Sequence, residues 1–489
     1  MAESSTSTIN GLTLLDVAIT PEGMKEKAEQ VKKDFTAVLD QVAAVDPDKA
    51  TFENVILPVS DAATEFENFC GLVSILANTS PNKEMREVGN KVDGELRQYN
   101  IDIYMRIDVF KILTAYVEKN STQYNSLGAE QKRLTDRYIR DYKRNGLHLP
   151  EDQREQLKKL LKTISDNGVK FSTFLNEDNT KVECTRQGLD GLPEDFINSL
   201  EKVEGSDDKV YVSMKYPEML PVLRSCKVPE TRRLVCEARA RQCMDTNVDL
   251  LEQTIGLRHE CALLLGYTQF ADYKLDIVMA KNAATVEKFL TELTVKALPK
   301  GREELQRLRE FKQKTESLSE LPEIYAWDNS YYTELLKKEQ YTFDKEKVKT
   351  YFPTDNVIEQ TLDIYQELLS LKFEQITGEN CKTWHEEIQL YLVRDRETGE
   401  EMGHFFLDLH PREGKYGHAA VFPMIPRGYH KGNMQLPVCA MVCNFTKATA
   451  EKPSLLYFDE VETFFHEFGH VMHNLCTKAN YAEFSGTSV

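Results

Sequence analysis

A mainly α-helical protein, with a small β-sheet next to a histidine-bearing helix, is the fold class this sequence predicts. Three observations carry it. Apolar residues recur at helical spacing over most of the chain. Strand-like alternation is scarce and gathers between residues 387 and 445. Directly after it, "FDEVETFFHEFGHVMHNLC" (458–476) sets three of the chain's ten histidines on one helical pattern.

Taken in order, residues 1 to about 10 are small, polar and low in complexity, and read as a disordered tail. In 24–45, Val31, Phe35, Val38, Leu39 and Val42 recur at i, i+4, i+7, i+8 and i+11, the stripe of an amphipathic helix. The same spacing predicts helices over 83–119, 128–145, 152–176, 246–265, 284–297, 301–316 and 356–372. Between two of them, "RNGLHLPEDQ" (144–153) supplies Gly146 as a stop and Pro150 as a start. No repeat of fixed period is present, which argues against a helical solenoid. Strands are predicted at 209–216, at 387–410 as a pair around a turn containing Gly399, and at 435–445. In the pair, Ile388, Leu390 and Leu392 alternate with polar neighbours.

At 489 residues the chain can bury two or three domains' worth of core. A net charge of −18 argues against nucleic acid as partner, since affinity for phosphate backbones comes from clustered Lys and Arg. It argues equally against an anionic membrane surface, and weakly favours cationic ligands. No run of about eighteen apolar residues is present to span a bilayer. The start "MAESSTSTINGLTLLDV" lacks the basic and apolar regions of a secretory signal. Ten scattered cysteines, none in a Cys-x-x-Cys pair, read as reduced thiols of a cytoplasmic protein. The expectation is a monomer with no membrane and no nucleic-acid partner.

The histidine segment reads as a helix capped by Asp459, with Glu462 three residues on in a capping-box position. At about 100° per residue from His466, Phe464, Phe465, Phe468, Val471, Met472 and Leu475 form one apolar face. His466, His470 and His473 fall on the opposite side. Such a face is either solvated and merely histidine-rich, or a ligand set. The order His466-Glu467-x-x-His470 points to the second, because two imidazoles one turn apart meet at a single metal. Zinc held by neutral imidazoles acidifies water toward a pKa of about 7 and polarises a carbonyl, and a carboxylate beside it moves the proton. Peptide hydrolysis needs those roles, and Glu467 stands where the base belongs. His473 lies about 10.5 Å along the axis from His466 with His470 between them, so a metal bridging the outer rings would crowd the middle one. The H-E-x-x-H-x-x-G-x-x-H pattern is also absent, since positions 473 and 476 are His and Cys. A third ligand has to come from another element.

Five stretches carry a resemblance: "FHEFGHVMH" (465–473), "HPREGKYGHAA" (410–420), "AMVCNFTK" (440–447), "LLGYTQFADYKLDIVMAK" (264–281) and "FSGTSV" (484–489). They resemble the thimet oligopeptidase and neurolysin family of zinc metallopeptidases, from about residue 25 onward. The resemblance implies two mostly helical lobes flanking a deep substrate channel. It implies an N-terminal helical region, 1–215, forming part of the channel wall, and a metallopeptidase catalytic region, 216–489, incomplete at its C-terminal end. It implies one Zn2+ held by His466 and His470, Glu467 as base and acid, and cleavage of internal bonds of short oligopeptides. Tyr416 and His418 are candidates for substrate contact, with a structural turn beside the sheet as the competing reading; the glycines there would let backbone approach substrate. Lys281 and Arg412 are expected to be salt-bridged structural residues. The third ligand that the resemblance implies, a glutamate about twenty-five residues past His470, falls beyond Val489. The expectation is therefore a shortened form with weak metal binding and little turnover. A rival reading is a peptide-binding protein of the same fold without catalysis.

Overall fold

The computed structural model of the chain describes residues 8–341, 345–445, 447–448 and 453–487. Two compact units are present, one built from 1–158 with 345–489 and the other from 159–344. The described residues are mostly helical with small sheets, as the periodicity predicts. No helix among them is long and apolar enough to cross a membrane.

The first unit is organised by a five-stranded sheet: β1 (Leu371–Ile376), β2 (Gln389–Asp395), β3 (Glu401–Asp408), β4 (Ala420–Ile425) and β5 (Val438–Val442). The order is β1-β2-β3-β5-β4, with β5 parallel to β3 and the other pairs antiparallel. Because successive strand residues point to opposite faces, the sheet separates two cores. Leu390, Phe406, Ala440 and Val442 pack with the N-terminal helices. Tyr391, Phe405, Cys439 and Met441 pack with the helix Phe458–Leu475, which carries the histidines. Burial on both faces makes "VCAMV" continuously apolar rather than alternating. The small sheet beside the histidine helix is thus present as expected.

Strands β1 and β4 had no clear signal. Pro423 within β4 reads against a strand, yet β4 is the edge strand, and its register against β5 shifts at Val438/Cys439. The helix Leu57–Thr79, equally unforeseen, buries residues around most of its circumference and so shows no clean stripe. It crosses β4 so closely that a Cβ at Gly71 would lie 2.3 Å from the Met424 carbonyl oxygen. Only glycine permits that approach.

Several boundaries differ from the periodicity. The helix expected over 83–119 is two, Lys83–Tyr104 and Ile107–Lys119, broken at Met105 and Arg106. The helix over 356–372 ends at Leu369, where Ser370 turns to φ +52° and Leu371 opens β1. Residues 8–10 are not part of a tail: Thr8 and Ile9 pair in parallel with Met434 and Gln435. The rest of that expected tail, 1–7, lies outside the described residues.

In the second unit, Lys181–Thr185, Lys209–Ser213 and Glu201–Lys202 form a three-stranded antiparallel sheet, the predicted strand at its centre. Its core gathers Leu189, Val210, Val212, Val222 and Val235. The segments 284–297 and 301–316 form one 34-residue helix, Ala283–Glu316, with Pro299 inside. A proline costs a helix interior about 3 kcal/mol, and here long helical segments on both sides outlast it. Arg232 and Lys312 bracket the buried Asp328 at 2.9 and 2.7 Å, a charge cluster that no local pattern announces.

Candidate metal centre

The histidine helix starts two residues earlier than its sequence suggests. Tyr457, extended at φ −68° and ψ 158°, is the N-cap residue, and its N–H donates to the Glu460 carboxylate at 2.7 Å. Asp459 and Glu462 are therefore not the capping pair. Glu460 is the third helical residue, where a carboxylate can reach back to the cap.

The face packed on the sheet is aromatic. Phe468 meets Tyr365, Phe405 and Phe373 edge-on at centroid distances of 5.0, 5.5 and 5.9 Å. Phe464 stacks near Phe468 and tilts against Phe445. With Val471, Met472 and Leu475 also buried, the helix cannot rotate without exposing this face. Phe465 is only half-buried, at the margin.

That clamping directs the opposite face outward. His466 and His473 are exposed and His470 is half-buried. The rings of His466 and His470 stand 4.9 Å apart and nearly perpendicular, at 85°. Glu467 sits between the two environments and is buried, 9% exposed. Near it lies Cys443, whose thiol is pushed up by burial and then by the Glu467 charge, so it is no ready thiolate ligand. Gly469 has open space above it, with only the Tyr365 hydroxyl at 3.9 Å from an added Cβ.

Among the described residues no group of three or more His, Cys, Asp or Glu is placed to hold a metal ion. His466 and His470 fit as two imidazole donors. Glu483 is engaged elsewhere: its carboxyl accepts from the Tyr138 hydroxyl, and Arg137 holds its backbone carbonyl. Burial pushes that carboxyl up.

The loop 410–418 is held by a charge cluster that the sequence did not single out. Asp408, at the end of β3, takes Arg412 through both guanidinium nitrogens at 2.7 Å. Lys415 Nζ, fully buried, donates to the carbonyls of Asp408, His410 and Cys443 at 2.8, 2.7 and 2.6 Å. Burial raises the Asp408 carboxyl, but the two cations outweigh it and hold it below the usual range. The Trp384 indole N–H adds a contact at 3.3 Å. Arg412 is thus the salt-bridged structural residue expected. Lys281 is not: it makes no ion pair among the described residues and serves as a backbone turn at φ +68°.

Within the loop, Tyr416 donates its N–H to Asn78 at 2.7 Å, and its ring meets Phe422 edge-on. The Tyr416 and His418 rings are 5.8 Å apart, and both residues are exposed. Gly414, at φ +72°, lies against the Arg86 guanidinium. Gly417 has open space.

Comparison with known proteins follows the same residues. Residues 222–489 match the model of Peptidase family M3. The chain is 38% identical over 481 residues to a thimet-like oligopeptidase of Dictyostelium discoideum, covering 96% of this chain and 71% of that protein. It is 32% identical over 483 residues to saccharolysin of Saccharomyces cerevisiae, covering 96% and 67%. With oligopeptidase A of Salmonella typhimurium it shares 28% over 486 residues, covering 96% and 70%. The chain thus spans about two thirds of the length of its curated relatives. It belongs to peptidase family M3.

Proposed function

We propose that this chain is the zinc-binding part of an endopeptidase that hydrolyses internal bonds of short oligopeptides in the cytoplasm, acting as a monomer. The single observation that carries the reading is the pair of perpendicular imidazoles, His466 and His470, 4.9 Å apart on the outward face of a helix whose other face is locked into the core. Family membership supports it, as does the family match over 222–489, which lies within the catalytic region proposed for 216–489.

In this reading His466 and His470 present neutral ring nitrogens as donors, and zinc, when bound, supplies Lewis acidity toward the scissile carbonyl and toward water. Glu467 holds the proton account. Its carboxylate takes a proton from the attacking water as the new C–O bond forms, and returns it to the leaving amine nitrogen as the C–N bond breaks. Its burial beside His466 and His470 limits the carboxylate's contact with bulk water. Tyr416 and His418 are proposed to contact the peptide from the loop that Asp408 and Lys415 hold in place. His473 takes no part in the metal.

With two imidazoles as the donors among the described residues, the 489-residue chain is proposed to hold zinc weakly and to turn over little. The same observation favours a second reading, a peptide-binding protein without catalysis. A quenched fluorescent peptide, with and without chelator, separates them. Slow, chelator-sensitive cleavage that Glu467→Gln lowers by about a hundredfold or more supports the enzyme. Binding without cleavage supports the second reading, and activity that persists in Glu467→Gln sinks the mechanism. Zinc retained at one per chain after dialysis would show that a third donor has been overlooked.

A further inference from the structure

Past its last paired residue, β5 keeps the alternation of a strand for three more positions. Cys439 and Met441 face the core shared with the histidine helix, whereas Ala440 and Val442 face the N-terminal helices. Cys443 and Phe445 stay on the first side, and Phe445 lies against Phe464 of the histidine helix at a centroid distance of 6.2 Å. Asn444, between them, turns the other way. Its Nδ2 donates to the backbone carbonyls of Tyr416 at 2.9 Å and of His418 at 3.4 Å.

Those carbonyls lie where the strand ladder does not reach. Pairing of β4 with β5 begins at Ala420, opposite Val442, and residues 416–419 are irregular. The buried Lys415 ammonium holds the earlier part of the loop through the carbonyls of Asp408, His410 and Cys443. After it, the Tyr416 N–H is fixed on Asn78 and the Tyr416 carbonyl on Asn444. Two carbonyls can be served only by the nitrogen end of the amide, which carries two N–H donors; a carboxylate of the same shape carries none. Without that donor the carbonyls turn to water, and the loop is released with them.

We propose that Asn444 is a positioning residue for the peptide: by holding the backbone on both sides of Gly417, it sets where the exposed Tyr416 and His418 side chains stand and ties them to the strand end that packs on the histidine helix. This rests on the reading that those two side chains contact the peptide. Gly417 has open space where a Cβ would be, so packing at that residue does not hold the loop in place of the amide.

Fluorescence anisotropy of a fluorescein-labelled octapeptide without charged residues tests the assignment, in the Glu467→Gln form of the 489-residue chain so that the peptide stays whole. Removing both loop side chains, Tyr416→Ala with His418→Ala, should weaken the peptide by about tenfold. Asn444→Ala should weaken it by a similar factor. So should Asn444→Asp, which keeps the volume and loses the donors. Asn444 is only half-buried, so neither variant opens the core. In the chain already lacking both loop side chains, Asn444→Ala should add less than about twofold, because a residue that acts through others then has nothing left to position. A purely structural contribution would multiply instead. Undiminished affinity in the two Asn444 variants, or losses that multiply, would overturn the assignment and leave the proposed function standing. Unchanged affinity without the loop side chains would overturn it together with the reading of Tyr416 and His418 as peptide contacts. No peptide binding to the starting chain up to about 10 mM would overturn both it and the proposed function.

Discussion

Two helices of this chain are both amphipathic by sequence and meet opposite fates. The histidine helix Phe458–Leu475 buries Phe464, Phe468 and Val471 completely. The helix Ala283–Glu316 leaves Phe289 63% and Val295 68% exposed. Periodicity states that a face is suited to burial. It does not supply the surface that buries it. For the histidine helix that surface is one side of a sheet assembled from strands spread over 371–442. The consequence is functional, since only a helix held by its apolar face can present His466 and His470 in a fixed direction.

The largest effect should come from truncating the centre of that clamp. Phe468→Ala removes a ring touching Tyr365, Phe373 and Phe405 and should cost about 3–5 kcal/mol, read by denaturant unfolding. Phe289→Ala should fall within about 0.5 kcal/mol, since little area is lost from burial. Similar losses at the two positions would break the comparison.

Next comes the charge cluster under the loop. Asp408→Asn leaves Arg412 and Lys415 without their carboxylate in a buried site, and should cost about 3 kcal/mol or more. It should also raise protease sensitivity around residues 410–418 and quench little elsewhere. An unchanged cleavage pattern would show that the loop is held by its backbone contacts alone.

A pH effect of similar origin resides on the sheet itself. His404 in β3 is buried, its Nδ1 has no hydrogen-bond partner among the described residues, and burial lowers its pKa to about 4. In the unfolded chain the value is near 6.5. Between those values the unfolded state binds a proton that the folded state refuses. Stability therefore falls as pH drops from about 6.5 to about 4, by up to about 3 kcal/mol. His404→Gln should flatten that part of the stability curve, and a slope that survives would assign it to other groups.

The smallest expected effect sharpens the comparison from the exposed side of the same helix. Gly469→Ala meets nothing closer than the Tyr365 hydroxyl, so it should stabilise by up to about 1 kcal/mol through helix propensity. A loss would mean that the space above Gly469 is needed for something other than the fold.

Much of the site was legible in the linear chain. The 3.6-residue period places His466 and His470 together and Phe464, Phe468 and Val471 apart from them whatever the rest of the fold does. Helix boundaries were less so: Pro299 reads as a break, yet the helical segments on both sides carry one helix through it, and Arg106 at the break after Tyr104 pairs with Asp40 from another helix. The helix Leu57–Thr79 escaped for the opposite reason, being so widely buried that its stripe is lost. Asp408 with Lys415, and Asp328 with Arg232, were invisible because their partners' value depends on burial rather than on spacing.

What the sequence by itself determined is therefore what one helix can encode: ligand spacing, the base between the ligands, and a face meant for the core. Tertiary structure alone decided that Glu467 is buried while His466 is exposed, and that Glu483 is spent on Tyr138. The physical reason is range. Backbone periodicity is set by residues three and four apart, whereas burial, and a contact such as Glu483 with Tyr138, arise only when segments far apart in the chain remove one another from water.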